Sequence, residues 1–225
     1  MSVPDAEADE HSDIPVRIDA AEAMNRLSHA LVAHRTDTET LRMIAREADR
    51  LAGTIEEQPE RDRRAELASS RKFVQAMTSG SLADIIEDGA FLDMFKDSPV
   101  GGEASPLSMG LELRRDGDQA VGTVTLGPGW QGAPDRAHGG VVAAIIDETL
   151  GGLLPVIGVM AFTGSLTIEY KAPCPMGIPL EFRAWMERRD GRKLYFRCTG
   201  SSEHGVFAES NATFISVELR QFGGG

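Results

Sequence analysis

The sequence predicts an α+β chain: a six-stranded antiparallel sheet wrapped around one central helix, preceded by a helical extension. Three observations predict it. After Pro106 the chain reads as short strands separated by Gly-containing turns. One stretch, 137–153, interrupts that series after the second strand and is apolar on every side. Before Ser98-Pro99-Val100-Gly101-Gly102, where Pro and Gly break regular structure, the apolar residues recur at helical spacing.

Taken in order, residues 1–14 hold five acids and no Lys or Arg, and are expected to be a disordered acidic tail. Residues 15–97 form the helical extension. Its first helix, 19–34, places Met24, Leu27 and Leu31 on one side. Its second carries Leu41, Ile44, Ala45, Ala48, Leu51, Ala52 and Ile55, with Asp37 as the cap. A third helical stretch runs from 71 to 87, and Phe91, Leu92, Met94 and Phe95 follow as an apolar cluster. The main domain covers 98–219, with strands expected at 108–115, 119–126, 162–171, 179–189, 192–201 and 205–219. Asp116-Gly117, Asp190-Gly191 and His204-Gly205 are the turn signals between neighbours. In the fourth strand Leu180, Phe182, Ala184 and Met186 alternate onto one face. A helix apolar all round must be surrounded, so the sheet is expected to wrap it. A second copy or the N-terminal helices would then cover the remaining surfaces. Residues 220–225 are expected to be a flexible tail.

Composition narrows the function classes. The net charge is −12, and no Lys/Arg-rich block offers a local basic patch, so no nucleic-acid partner is expected. No uninterrupted apolar run approaches the ~18 residues of a membrane span, and the start Met1-Ser2-Val3-Pro4-Asp5 is no secretory signal. No membrane association is expected. Cys174 and Cys198 form no metal or CxxC spacing and are read as reduced thiols of a cytoplasmic protein. No G-x-S-x-G elbow is present, and the five histidines show no ligand spacing, so no metal is expected.

The chemistry concentrates in Ala137-His138-Gly139-Gly140-Val141-Val142-Ala143-Ala144-Ile145-Ile146-Asp147-Glu148. Two glycines at a helix start leave its first N–H groups unscreened, a site for a polarised carbonyl or an oxyanion. Asp147, after six apolar residues, is expected to be partly buried, where a carboxylate suits the role of base. Gly139 and Asp147 are eight residues apart, roughly 12 Å along a helix at ~1.5 Å per residue. One small carbonyl cannot touch both. If both act on one substrate, they come from two copies of the helix, and the site lies between subunits.

These motifs resemble the hotdog-fold acyl-CoA thioesterases, in particular the PaaI-like branch of the 4-hydroxybenzoyl-CoA thioesterase superfamily. The similarity runs over about 98–219 and includes Thr163-Gly164-Ser165-Leu166-Thr167-Ile168-Glu169-Tyr170-Lys171-Ala172-Pro173. It implies hydrolysis of an acyl-CoA to a free acid and coenzyme A, in fatty acid metabolism, by a homodimer or a dimer of dimers. It implies no cofactor, coenzyme A being part of the substrate. By the resemblance, Gly139 donates its N–H to the thioester carbonyl, and His138 orients that loop or helps polarise the carbonyl. Asp147 of the partner subunit acts as general base or nucleophile, and the Thr163 hydroxyl holds the attacking water. Gly140, Gln131, Arg136 and Lys171 are the candidate substrate-binding residues. Relatives often place an Asn or Gln six residues before the His; here that position is Gly132, and Gln131 is one residue out of register. Two other readings stand beside this one: a non-catalytic acyl-CoA sensor, and an enoyl-CoA hydratase on the same fold.

Overall fold

The computed structural model describes residues 13–62, 65–66, 87–89 and 96–217. Most of the expected tail (1–12), most of the third helical stretch, the 91–95 cluster and the C-terminal tail lie outside them.

The main domain is one sheet and one long helix. Strands β1 (Glu112–Asp116), β2 (Gln119–Thr125), β3 (Ala161–Tyr170), β4 (Pro179–Asp190), β5 (Lys193–Ser202) and β6 (Gly205–Ser216) form a six-stranded antiparallel sheet in the order β1-β2-β4-β5-β6-β3. Between β2 and β3 run a short turn of 3-10 helix (Pro128–Trp130) and helices α3 (Gly139–Gly151) and α4 (Leu153–Ile157). The two strands before the helix and the four after it sit on one sheet, which is the hotdog arrangement.

The core explains why the helix cannot leave the sheet. Val142, Ile145, Ile146, Thr149 and Leu150 of α3 are buried against Phe182, Ala184, Leu194, Phe196 and Phe214 from the sheet. Burying side chains of this size stabilises by roughly 1.5–3 kcal/mol each. The buried Thr149 hydroxyl donates back to the Ile145 carbonyl at 2.7 Å. The continuous stretch Gly139–Ile157, with a hydropathy of 1.7, is apolar and long enough to cross a membrane by composition alone, yet it serves as the core helix of this domain. The far side of α3, with Val141, Ala144 and Asp147, stays half-exposed in the single chain.

Local details differ from the sequence reading. Strand β1 begins at Glu112 rather than 108, because Ser105 to Gly110 turns back on itself through Ser108 N–H to Ser105 O and Gly110 N–H to the Ser108 hydroxyl. The β1–β2 loop is Gly117-Asp118, with Gly117 at φ 61, so Asp116 belongs to the strand. In β4, Leu180, Phe182 and Ala184 are buried as expected, but a bulge between Met186 and Arg188 ends the alternation, and Met186 is exposed.

Two N-terminal helices precede the domain: α1 (Ile14–Ala33) and α2 (Thr38–Glu56). Helix α1 starts at Ile14, so the last positions assigned to the acidic tail are its cap and first turn. Asp37 caps α2, accepting from the N–H groups of Glu39 and Thr40 at 3.0 and 2.9 Å. Such a cap is worth ~1 kcal/mol. The Thr40 N–H holds the Asp37 carboxyl below its ordinary range. The expected apolar face of α1 is not its docking face: Met24, Leu27 and Leu31 are exposed, while Ala21 is buried and Asn25 and His29 half-buried. On α2 no residue is buried.

Candidate active site

The loop before α3 is held by backbone contacts on both sides. The His138 N–H donates to Trp130 O at 2.9 Å, the Ala137 N–H to Cys174 O at 3.0 Å, and the Gly132 N–H to Arg136 O at 3.0 Å. Gln131 and Ala137 form an isolated bridge, and Asp135 takes the left-handed conformation, φ 62, which an Asp tolerates. The chain passes so close to itself that a Cβ on Gly132 would stand 2.8 Å from His138 Cα. A side chain at this position therefore has no room unless the backbone at His138 shifts.

His138 is the N-cap of α3. Its Nδ1 accepts the Gly140 N–H at 3.0 Å, which puts the proton of a neutral ring on Nε2. The Val141 N–H donates to His138 O at 2.9 Å. The sequence left both glycine amides unscreened; the Gly140 amide is taken by the cap. The Gly139 N–H has no acceptor among the described residues. Tyr170, at the end of β3, donates its hydroxyl to Gly139 O at 2.8 Å. Sequence reasoning did not single out Tyr170, although Leu166, Ile168 and Tyr170 alternate onto one face of β3 and the first two pack on the core.

Asp147 lies half-buried on α3, and the Thr163 hydroxyl donates to its Oδ1 at 2.9 Å. A bulge makes this contact possible. The β3–β6 register shifts between Thr163 and Ser165, so Thr163 pairs with the buried Phe214 and Leu166 with the buried Ala212. Strict alternation would put Thr163 and Leu166 on opposite faces; the bulge at Gly164 turns both toward the helix. Glu148 points elsewhere and accepts from the hydroxyl of the buried Ser98 at 2.9 Å.

The remaining candidates are more dispersed. Gln131 and Arg136 are exposed, and Arg136 Nε donates to Pro134 O at 3.4 Å. Lys171 pairs with both Glu169 and Glu209, the latter at 3.2 Å. Its hydrogen bonds to Glu169 and then Glu209 raise its pKa, and the same contact lowers that of Glu169. Arg188 stacks on the Tyr195 ring at 3.5 Å. Both thiols are free and buried, and burial pushes Cys174 up to about 11 and Cys198 to about 12. Neither suits nucleophilic attack, which requires a thiolate. Among the described residues no group of His, Cys, Asp or Glu is placed to hold a metal.

Residues 135–209, from the cap loop into the first half of β6, match the family model for the thioesterase superfamily. Over these residues the chain is similar to the thioesterase superfamily. Acyl-coenzyme A thioesterase THEM5 of Mus musculus is 35% identical over 97 residues, 42% of this chain and 39% of that protein. Acyl-coenzyme A thioesterase THEM4 of Mus musculus is 38% identical over 90 residues, 39% of each. The chain thus spans about two fifths of the length of these curated relatives. The crystal structure of a thioesterase superfamily protein matches with a TM-score of 0.70 and 25% identity, covering 96% of this chain and 94% of that one. This likeness agrees with the fold, and the helical extension falls within the long structural match.

Proposed function

We propose that this protein is an acyl-CoA thioesterase whose active site forms between two copies of the chain. The observation that carries the reading is the pairing on one helix of a Gly139 N–H at its start, with no acceptor among the described residues, and an Asp147 carboxylate held by Thr163, eight residues further on. At ~1.5 Å per residue the two stand roughly 12 Å apart within one chain. The half-exposed side of α3 and the exposed outer edge of β3 support the second copy, since a two-fold pairing there would cover both.

In this mechanism the Gly139 N–H of one copy polarises the thioester carbonyl and stabilises the oxyanion that forms on it. His138 fixes the first turn of the helix, and Tyr170 steadies the Gly139 peptide from the other side. Asp147 of the second copy takes a proton from water, and the resulting hydroxide attacks the carbonyl carbon. The C–S bond breaks, the acyl group leaves as a free acid, and the coenzyme A thiolate recovers the proton. Thr163 uses its single hydroxyl proton on the carboxylate, so it orients the base and can still accept a hydrogen bond from the water. No cofactor enters these steps. Two separate buried thiols agree with a reducing compartment, so we place the enzyme in the cytoplasm.

The test is thiol release from a panel of short, medium, long and aromatic acyl-CoAs, with an enoyl-CoA included and its products identified. Release of coenzyme A from one class supports the reading. Tight binding without release would indicate a sensor, and water addition to the enoyl-CoA a hydratase; either would overturn it.

A further inference from the structure

Helix α1 docks on the domain through a polar seam that ends at the loop carrying the candidate site. Ala21, Asn25 and His29 follow one another at four-residue spacing along its inner side. The Asn25 side-chain amide donates to Ser108 O at 2.8 Å and to Pro106 O at 3.3 Å. One turn later the His29 ring lies over Gly127-Pro128-Gly129. A Cβ on Gly127 would stand 2.9 Å from its Nδ1, and one on Gly129 2.8 Å. The two glycines therefore form a cradle that only a bare backbone leaves open. Within it, His29 Nδ1 accepts the Gly129 N–H at 2.8 Å, and the ring meets Trp130 edge-on, centroids 5.7 Å apart at 75°.

From this cradle a short series of bonds reaches the start of α3. Trp130 O accepts the His138 N–H at 2.9 Å, and His138 Nδ1 accepts the Gly140 N–H at 3.0 Å. The 127–131 turn has only two short-range backbone bonds of its own, from Trp130 N–H to Gly127 O and from Gln131 N–H to Pro128 O, and Pro128 has no N–H to add. His29 adds a further restraint from α1, outside the domain.

We propose that His29 is a positioning residue for the Gly139 amide. It fixes the 127–131 turn, and through Trp130 and His138 it sets the direction of the first N–H of the central helix. The N-terminal extension thereby becomes part of the catalytic apparatus rather than an added layer. A misplacement of ~1 Å in a reacting geometry can cost ~10²-fold in rate, so a loosened turn is sufficient to matter. The kinetic part of this inference rests on the thioesterase reading; the structural coupling does not.

The experiment compares wild type with His29→Ala, His29→Asn and Gly129→Ala in the full chain. In His29→Asn the side-chain oxygen stands where Nδ1 does and can accept the Gly129 N–H. In Gly129→Ala the new Cβ displaces the ring while His29 itself is kept. Two readouts are taken: kcat and KM on an acyl-CoA that wild type hydrolyses, and backbone hydrogen exchange over 127–140. The expected result is a kcat lowered about tenfold or more in His29→Ala and Gly129→Ala, with KM within about twofold and faster exchange over 127–140. His29→Asn should restore most of both. Unchanged kcat and unchanged exchange in Gly129→Ala would overturn the proposal, as would equal losses in the Ala and Asn variants. If wild type hydrolyses no acyl-CoA, the thioesterase reading fails, and the exchange data alone decide the coupling. Should His29→Ala fail to fold, His29→Asn against Gly129→Ala gives the same decision.

Discussion

Replacing Asp147 by Asn separates the charge of this residue from its shape. The amide oxygen can still accept the Thr163 hydroxyl, which donates to Oδ1 at 2.9 Å in the native protein, so the local hydrogen bond survives. The position is half-buried, and a negative charge in the C-terminal half of α3 opposes the helix dipole. Neutralising it therefore changes stability by at most about 0.3–1 kcal/mol, in the favourable direction. For a chain of this size that is a Tm shift of roughly 2–4 °C or less. Catalysis responds differently, because an amide cannot take a proton from water. Loss of a general base costs about 10²–10⁴-fold, or roughly 3–5 kcal/mol of transition-state stabilisation. The assay is thiol release from acyl-CoA, run beside thermal unfolding of the same sample. A variant that hydrolyses within about twofold of wild type would refute the assignment of Asp147.

Three further outcomes follow from the same structure. Tyr170→Phe removes the bond to Gly139 O but keeps the ring; stability should fall by about 0.5–1.5 kcal/mol, and kcat should fall with KM little changed, as steady-state kinetics will report. Gly132→Ala brings a Cβ to 2.8 Å from His138 Cα; about 1–3 kcal/mol of stability should be lost in a denaturant titration, together with activity. Burial raises the Cys198 pKa from 9.0 to about 12, so between these values the native state keeps a proton that the unfolded chain releases. Its stabilising contribution is complete below pH 9 and declines above it, by about 1 kcal/mol per pH unit. Cys198→Ala should flatten that part of a stability–pH curve.

The domain was legible because its signals were local. Gly-containing loops marked the hairpins, alternation marked β4, and a helix apolar on all sides required a sheet around it. Asp37 was readable as a cap from its place before Thr38-Glu39-Thr40. What stayed hidden depends on backbone irregularity or on distant partners. The bulge at Gly164 decides which way Thr163 faces, and nothing in the strand pattern announces it. The Gly140 amide looked unscreened because the preceding His was read for its chemistry rather than as a cap. Helix α1 misled most clearly: its apolar side chains face outward, and it docks through Asn25 and His29, whose acceptors and donors lie some 80–100 residues later in the chain. A periodicity argument weighs only hydrophobicity and cannot detect a polar seam.

The central claim is that amide and carboxylate reach one substrate from different copies, and subunit complementation tests it most directly. Asp147→Asn keeps a sound amide end; Gly140→Pro removes the N–H that His138 caps and disables that end while keeping Asp147. Each variant alone should be inactive. Unfolded and refolded together in equal amounts, half of the dimers are mixed, and each mixed dimer regains one of its two sites. About a quarter of wild-type activity should return. If every site lies within one chain, the mixture will remain as inactive as its parts.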